Sequence, residues 1–534
     1  MNAVNSKIWA RKQKEREKSL REFKKAKGES SFKFLFVIAA LIATAVPIGF
    51  FGVHSYRNYR SEAALEMAGN TILVKAGGDV QAALNRAKAG DTIFLQAGAT
   101  FRGSLVLPLK AGSEFITVRT SAADSKLPPA DTRIDPAKYA AVLPKLVSPT
   151  NEPVINAASG AHHFRFVGVE FGATREGVGN IIQLGSTEEK RIEDLPHHIE
   201  FDRVYVHGDP ALGQRRGIAA NGQFIKIANS YISDIKRKGE ESQAIAAWAT
   251  DGPVEIVNNY LEGAAENVLF GGAESYLRLT PTDCIVRGNH LNKPVKWREE
   301  GWLVKNLFEI KHGRRIKVEN NLMTNNWALG QDGTAILFTT REDSGKNVVI
   351  EDIEFTNNIV RGSGNAVSVY GPEGRGGRRL IIKNNIFADI DGQKWGGSGN
   401  FMKSSAWDGL IIENNTIIQT GNISNAYDAP VKNFIFRNNI VFHNEYGFAG
   451  DSTAPGQATI NKFFPGGDVG FNVIVGASST GRSKNFFPAS IKQVGFTNAE
   501  TGDYRLRGDS PYIAKGLNGK LIGANLDSRS VGGK

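Results

Sequence analysis

The feature that most constrains this chain is a pair of asparagines that recurs along it, followed each time by Tyr, Leu, Ile or Thr and then an apolar residue. The pairs are Asn258-Asn259, Asn320-Asn321, Asn357-Asn358, Asn384-Asn385, Asn414-Asn415 and Asn438-Asn439, with weaker copies at Asn229, Asn289 and Asn472. From Asn259 onward, matching asparagines are 24 to 37 residues apart. A period of about 30 residues is typical of a solenoid or array, so each copy predicts one structural unit.

Each repeat has the pattern of strands rather than of helices. Apolar and polar residues alternate in runs such as IKVENNLM, IEFTNNIV and FIFRNNIV, and Gly and Asp separate the runs. No repeat contains an amphipathic helix, which excludes leucine-rich, ankyrin and tetratricopeptide arrays. The pattern predicts a coil of three short parallel strands per turn.

These repeats resemble the right-handed parallel β-helix of pectate lyases and their relatives, over roughly residues 70–525. The resemblance implies an all-β, single-stranded solenoid. An Asn at a tight corner tolerates the left-handed backbone region. Stacked from coil to coil, its amide donates to one neighbour and accepts from the other. We therefore assign the Asn pairs to the fold and not to catalysis.

The basic charge of the chain is concentrated at its start. Residues 1–33 hold eleven Lys or Arg and four Glu, or +7 of the total +11, which leaves +4 for the remainder. A basic tail beside a near-neutral body does not support nucleic-acid binding.

Twenty uncharged residues follow the basic tail, at 34–53. This is the length of a transmembrane helix, and a cleaved signal peptide usually has a shorter start and a shorter apolar run. We expect an uncleaved anchor in the inner (cytoplasmic) membrane, with its N-terminus in the cytoplasm. Residues 54–69 would be a tether, and the β-helix would be periplasmic or extracellular.

The two ends of a solenoid need covers, because an end coil exposes its core and its strand edges. At the first end, Asp79 is a candidate N-cap for a capping helix at about 79–89. At the other end, a C-terminal cap is expected at about 485–534, by resemblance to bacterial β-helix proteins. The composition of residues 121–150 predicts a loop with a short helix that lies over the side of the coil.

The single cysteine, Cys284, is interpreted as a buried apolar residue.

Six tryptophans of the predicted solenoid lie within 160 residues of one another. They are Trp248, Trp297, Trp302, Trp327, Trp395 and Trp407. Aromatic faces stack on the apolar faces of sugar rings, so this stretch predicts a groove for a polysaccharide. We assign Trp248, Trp302, Trp327 and Trp407 to substrate binding, although a tryptophan also serves to fill a corner.

Charged residues on one predicted strand, NLFEIK, indicate chemistry in the same stretch. Successive side chains of a strand point to opposite faces, so Phe308 and Ile310 are expected to point into the core, and Glu309 and Lys311 to lie together on the outer face. Arg341 ends a strand 30 residues after Lys311, one coil later, so the three charged side chains are expected to converge. His312, which begins the next turn, is added to the substrate-binding set.

The pattern FEIK, followed one coil later by a strand-end Arg, is similar to the alginate and dermatan-sulfate lyases. The resemblance implies β-elimination in an acidic, uronate-containing glycan, with Lys311 as base, Arg341 as acid and Glu309 as a ligand for Ca²⁺. The chain departs from those lyases in two respects. They carry two acidic ligands near the Lys and the sequence RHG after the coil, whereas only Glu309 matches here and Arg341 precedes Glu342-Asp343.

Two other functions were weighed. A non-catalytic carbohydrate-binding or envelope scaffold protein remains the alternative, because one fold hosts many functions. The residues HG at 312 and RIK at 315 are similar to polygalacturonases. Inverting hydrolysis needs two carboxyls that hold a water, and no NTD or paired Asp precedes them, so a hydrolase is disfavoured.

Overall fold

The computed structural model describes residues 69–342, 345–478, 484–527 and 531–533. The expected basic tail, the expected membrane helix and residues 54–68 of the expected tether lie outside the described residues. No helix among the described ones is long and apolar enough to cross a membrane.

Three long parallel sheets dominate the described part, and each coil contributes one strand to each of them in turn. Sheet A has 14 strands: Thr71–Val74, Thr92–Leu95, Ile116–Thr120, His162–Val167, His197–Asp202, Gln223–Ala228, Val254–Val257, Ile285–Arg287, Gly313–Glu319, Ile350–Thr356, Gly377–Lys383, Trp407–Glu413, Lys432–Arg437 and Asp468–Gly470. Sheet B has 13: Thr100–Arg102, Lys145–Val147, Glu170–Phe171, Tyr205–His207, Tyr231–Ile235, Tyr260–Gly263, His290–Asn292, Leu322–Asn326, Ile359–Ser363, Ile386–Ile390, Thr416–Gln419, Ile440–Phe442 and Val473–Val475. Sheet C has 12: Leu105–Leu107, Ile155–Ala157, Asn180–Gln183, Arg216–Ala219, Gln243–Ala247, Glu266–Phe270, Asn306–Ile310, Thr334–Thr339, Asn365–Tyr370, Met402–Ser405, Ser424–Ala426 and Phe448–Gly450. This arrangement confirms the parallel β-helix.

Helices are short and lie at corners and ends. The α-helices of the described part are Val80–Arg86, Pro136–Tyr139, Trp297–Glu300, Gly392–Trp395 and Gln457–Phe463. The 3₁₀ turns are Asp124–Lys126, Ala140–Val142, Ile192–Asp194, Ile491–Val494 and Leu517–Gly519. Phe496–Asn498 and Asp503–Leu506 pair as an antiparallel hairpin.

In the core, equivalent residues of successive coils stack on one another, because the strands of each sheet pair in register. Ile316, Ile353 and Leu380 lie directly above one another in sheet A, and all three are fully buried. The alternate residues of the same strands point outward. A site on the outer face of a sheet is therefore assembled from residues about one coil apart in sequence.

The two asparagines of each pair have different roles. The first adopts the left-handed backbone region, with φ of 54° to 59° in the six full pairs. The second is fully buried, and its amide Nδ2 donates to the Oδ1 of the equivalent Asn in the next coil at 2.9–3.1 Å. The ladder runs through Asn259, Asn289, Asn321, Asn358, Asn385, Asn415, Asn439 and Asn472. The predicted coil-to-coil amide stack is present, and its continuous, buried part is formed by the second Asn. The first Asn makes such bonds only in places, as from Asn258 to Asn229 and from Asn384 to Asn357.

The first end of the solenoid carries the helix Val80–Arg86. The Asp79 side chain accepts a hydrogen bond from the Ala82 backbone N–H at 2.9 Å. Val80, Ala83 and Leu84 are buried against the core, so the helix shields the first coils from water. Of the predicted loop at 121–150, Lys145–Val147 is a strand of sheet B, whereas residues 121–144 lie over the side of the coil and include the short helix Pro136–Tyr139. There Leu127, Ile134 and Leu143 form an apolar cluster with Val167.

The second end of the solenoid is covered by two segments. Asn485 accepts a hydrogen bond from Asn472 Nδ2 at 3.0 Å, and Phe486 pairs with Val473 of the last strand of sheet B. The helix Gln457–Phe463 lies at the same end, where Phe463 and Phe464 belong to the core cluster. The later residues run back along the outer face of sheet B, where the Gly523 and Gly532 N–H groups donate to Asn438 and Asn320 carbonyls.

Apolar side chains explain this return path. Ile359, Ile386 and Ile440 follow the Asn pairs and point outward from sheet B, yet they are at most 1% exposed. Phe496 and Ile522 of the returning segment belong to the apolar cluster that buries them. From Leu322 to Val475, sheet B therefore has a second apolar layer, which residues of 484–527 and 531–533 supply.

We expect Asn358→Leu to lower the free energy of unfolding by about 3 kcal/mol or more, because buried polar groups lose their partners. Its side chain bonds Val318 O, Asn385 Oδ1, the Asn321 N–H and Asn321 Nδ2 at 2.9–3.1 Å. Chemical denaturation followed by circular dichroism measures the change. The matched control is Asn357→Gly, which keeps the left-handed corner. Equal losses in the two variants would refute the separate roles.

Candidate functional site

A groove lies on the outer face of sheet C. Two adjoining cavities of about 680 and 640 Å³ share Glu241, Gly272 and Lys311 in their linings. The first extends toward Trp248, and the second extends toward Arg341. Together they form a polar channel across successive coils.

Glu309, Lys311 and Arg341 all line the second cavity. The Arg341 backbone N–H donates to the Lys311 carbonyl at 3.1 Å, which fixes the two residues on adjacent coils. Lys311 Nζ lies 4.0 Å from Glu309 Oε2. The structure thus brings together the three charged residues that the sequence grouped. Glu309 is 2% exposed, whereas Arg341 is exposed at the surface.

Lys305 is a member of this site that the sequence reasoning missed. Its Nζ lies 2.6 Å from Glu241 Oε1 and 2.8 Å from Glu266 Oε1. Glu266 is fully buried and pairs in register with Asn306 of the next coil. Lys305 therefore places an ammonium between two carboxylates at the floor of the second cavity.

The missed residues carried a detectable signal. The strands ENVLF and NLFEI pair in register, so Glu266 lies beside Asn306 and one coil before the strand that holds Glu309. Aligning the two runs by their apolar residues would have placed Glu266 in the site. Glu241 and Lys305 lie just outside regular strands, and no periodicity predicts their directions.

Burial and the neighbouring charges set the protonation of this site. Burial raises the pKa of Glu309 to about 7, although Lys311 opposes the shift. Burial alone would lower the pKa of Lys305, but Glu266, Glu309 and Glu241 outweigh it and raise that pKa above its ordinary value. Lys305 is thus a permanent cation. Glu309 is a carboxyl that stays protonated in mildly acidic solution.

The first cavity has a hydrogen-bonded row along its floor. Arg216 donates to Asn180 Oδ1 and to Gln243 Oε1, both at 2.9 Å, and Gln243 Nε2 donates to Glu266 Oε2 at 2.9 Å. The Arg216 guanidinium also lies over the Trp248 ring, 4.7 Å from its centroid. Trp248 is partly exposed, so this predicted aromatic residue does line the groove.

Trp302 and Trp327 lie elsewhere. They form a separate apolar cluster with Trp297 and Trp395, and they are 5% and 3% exposed. The Lys236 ammonium lies 4.8 Å from the Trp302 ring centroid. Rings enclosed in this way have no free face for a sugar, so their assignment to substrate binding is corrected. The corner insertion that contains Trp297–Glu300 needs an apolar interior of its own.

Trp407 and His312 are also enclosed. Trp407 is 2% exposed, and its ring occupies the space where a Cβ on Gly377 would lie. His312 is 2% exposed; the Val349 N–H donates to its Nδ1 at 3.0 Å, and its Nε2 lies 2.9 Å from Thr280 Oγ1. Burial lowers the pKa of His312 to about 4, so it is a neutral structural residue. Neither side chain faces the groove.

The donor set was tested against the Ca²⁺ that the resemblance implies. Ca²⁺ takes six to eight oxygen ligands. Glu309 Oε2 and Asn306 Oδ1 are buried without hydrogen-bond partners in the described part, and both are suitable donors. However, the Lys305 ammonium already occupies the space between Glu241 and Glu266 and pairs with both carboxylates. A dication would have to displace this ammonium to reach the two carboxylates, so the residues as arranged do not fit Ca²⁺.

We expect Glu309→Gln to gain stability relative to the unchanged chain as the pH rises from 5 to 8. The folded chain keeps the Glu309 proton up to about pH 7, whereas the unfolded chain releases it near 4.5, so stability falls with pH across that window. Gln cannot ionise and avoids this loss. Thermal unfolding at the two pH values measures the difference, and Glu354→Gln, on the exposed face of sheet A, is the control. A difference that does not change with pH would contradict the protonated Glu309.

Comparisons with known proteins bear on the fold. No protein-family model and no curated protein matches the chain. Solved structures do. The structure of the PL6 family alginate lyase AlyGC matches at 15% identity and a TM-score of 0.55, over 87% of this chain and 58% of that one. This chain thus spans less than two thirds of that lyase.

Two further structures are similar at lower scores. A mannuronic acid specific polysaccharide family 6 lyase from human gut microbiota matches at 11% identity and a TM-score of 0.43, over 79% of this chain and 92% of that one. An alginate lyase from Paenibacillus sp. str. FPU-7 matches at 13% identity and 0.37, over 75% and 98%. Identities this low show only a fold. The chain is a parallel β-helix protein that shares its fold with the AlyGC alginate lyase.

Proposed function

We propose that the groove on sheet C cleaves a uronate-containing polysaccharide by β-elimination. The observation that carries the proposal is that Lys311 and Arg341 line one cavity beside Glu309. The backbone bond between Arg341 and Lys311 keeps the two side chains on adjacent coils. A base and a second cation that line one cavity suit a reaction that takes a proton at one carbon and releases an oxygen at the next.

The elimination needs a base and an acid. Lys311 in its neutral form takes the proton from C5 of the uronate on Nζ. The electron pair forms the C4=C5 double bond, and the bond between C4 and the bridging oxygen breaks. Arg341 lies at the mouth of the cavity and donates a proton to that oxygen. The net change is one proton moved from carbon to oxygen and one chain cut.

Negative charge on the substrate carboxylate grows as the C5 proton leaves, and the site has two groups that stabilise it. Glu309, kept protonated by burial, donates its proton in a hydrogen bond, as a neutral carboxylic acid does in an apolar site. Lys305 supplies a fixed positive charge beneath the cavity. These two groups take the place of the metal in our proposal.

The first cavity binds the neighbouring sugars. The exposed face of Trp248 stacks on a ring, and Arg215 and Arg216 on the cavity wall attract its carboxylate. This combination of one aromatic face and two guanidiniums favours an acidic glycan over a neutral one.

We expect Lys311→Ala to lower the elimination rate by about 10²–10⁴-fold, because the proton acceptor is lost. The full chain is incubated with alginate, pectate and dermatan sulfate, and the ultraviolet absorbance of the unsaturated uronate is followed. Lys317→Ala is the matched control, since Lys317 is an exposed lysine on sheet A, outside the groove.

Two outcomes would contradict the proposal. Equal activity in Lys311→Ala and Lys317→Ala would remove Lys311 as the base. No product from any uronate, with glycan binding still present and lost in Trp248→Ala, would leave the non-catalytic carbohydrate-binding function in its place.

We expect the elimination to proceed unchanged in the presence of EGTA, because Lys305 already supplies the cationic charge. Rates with EGTA, with added Ca²⁺ and with neither are compared on the same substrate. Lys305→Met is the informative variant, since it should lose activity under all three conditions. A rate that falls with EGTA and returns with Ca²⁺ would contradict the role of Lys305 while leaving that of Lys311 intact.

A further inference from the structure

Four histidines lie together at the corner where two consecutive strands of sheet A begin, away from the groove. They are His162 and His163 on the first strand, and His197 and His198 on the next coil. The rings of His162 and His197 are stacked at 4.7 Å, and those of His163 and His198 at 4.5 Å. All four are partly exposed, so the cluster is open to solvent.

Each pair of histidines is joined through its ring nitrogens. The Nδ1 atoms of His162 and His163 are 2.8 Å apart, and those of His197 and His198 are also 2.8 Å apart. Such a contact requires one Nδ1–H and one bare Nδ1. A neutral ring that donates through Nδ1 has a free lone pair on Nε2. Each pair of neutral rings therefore offers at least one nitrogen to a ligand that accepts electron pairs.

The same corner position is filled differently in other coils. Further along the column, Asp283 pairs with Arg315 at 2.7 Å, and Asp352 pairs with Arg379 at 2.6 Å. Opposite charges thus hold neighbouring coils together at those levels. At the histidine level four like groups meet instead, without the complementary charges that join Asp283 to Arg315 and Asp352 to Arg379.

We propose that this histidine cluster is a binding site for a divalent transition-metal ion of the zinc type. One ring nitrogen from each of His163, His197 and His198 lies within 4.8 Å of the other two. Zn²⁺ binds imidazole nitrogens at about 2.0–2.1 Å in a tetrahedral arrangement. Coordination by both His197 and His198 would replace the hydrogen bond between their Nδ1 atoms and draw the three ring nitrogens closer together. His162 serves as the partner that orients the His163 ring.

The ligand type selects the metal. Imidazole suits Zn²⁺, Cu²⁺ and Ni²⁺, whereas Ca²⁺ and Mg²⁺ prefer oxygen. The bound ion would join two coils by coordination at the level where the column has no ion pair.

A stacked aromatic ladder is the competing explanation, because Phe115 and Phe224 continue the column on either side at 5.3 and 4.4 Å. The double variant His163→Phe/His198→Phe separates the two explanations, since it keeps the ring stack and removes the nitrogens. His443→Gln is the control for a histidine elsewhere in the described part of the chain.

The experiment titrates Zn²⁺ into the full chain, prepared without a histidine tag and stripped with chelator, by isothermal calorimetry. We expect one ion per chain, binding at least about tenfold weaker in His163→Phe/His198→Phe, and unchanged binding in His443→Gln. Co²⁺ in place of Zn²⁺ should give the visible absorption of tetrahedral nitrogen coordination. Titration with Ca²⁺ or Mg²⁺ should give the same heat for the double variant as for the unchanged chain.

The outcomes are separable even if a variant folds poorly. Circular dichroism identifies a misfolded variant, and His197→Gln then replaces it. Zinc binding that is absent in the unchanged chain would overturn the proposal. So would zinc binding that is equal in the histidine-cluster variants and the unchanged chain, because the cluster would then be a stacking ladder only.

Discussion

The buried asparagine ladder is the interaction on which the rest of the structure depends. A solenoid corner exposes backbone groups that no strand can satisfy, and burying them without partners costs about 1–3 kcal/mol each. The second Asn of each pair solves this locally: its Oδ1 accepts the backbone N–H of the equivalent Asn one coil earlier. Because the same atoms bond in each coil from Asn259 onward, the ladder sets the register of that part of the stack as well as its stability.

Register in turn assembles the candidate site. Glu309 and Lys311 face outward because Phe308 and Ile310 face inward, and the next coil places Arg341 against the Lys311 carbonyl. No loop has to fold over to bring these groups together. The charged residues of the groove therefore come from neighbouring coils, and the packing of the core fixes the spacing between those coils.

This dependence explains what the sequence could predict. Period two and the Asn repeat were enough to predict the three parallel sheets and to group Glu309, Lys311 and Arg341. They were not enough for the tryptophans. Trp302 and Trp327 lie in corner segments whose direction depends on insertions, and Trp407 begins a strand of sheet A but is buried in the core. Lys305 and Glu241 were missed for the same reason. The contact between them spans 64 residues and is visible only in three dimensions.

The returning C-terminal segment changes how a molecule of this kind behaves. A plain solenoid holds only nearest-neighbour contacts, so its end coils can fray one at a time. Here Arg133, from the segment that lies over the side of the coil, donates to the Gly532 carbonyl across 399 residues of sequence, and also to the carbonyls of Asn258 and Gly288. That segment therefore lacks part of its native contacts until residue 532 has left the ribosome. A product truncated before residue 484 would also expose the apolar outer face of sheet B that Ile359, Ile386 and Ile440 form.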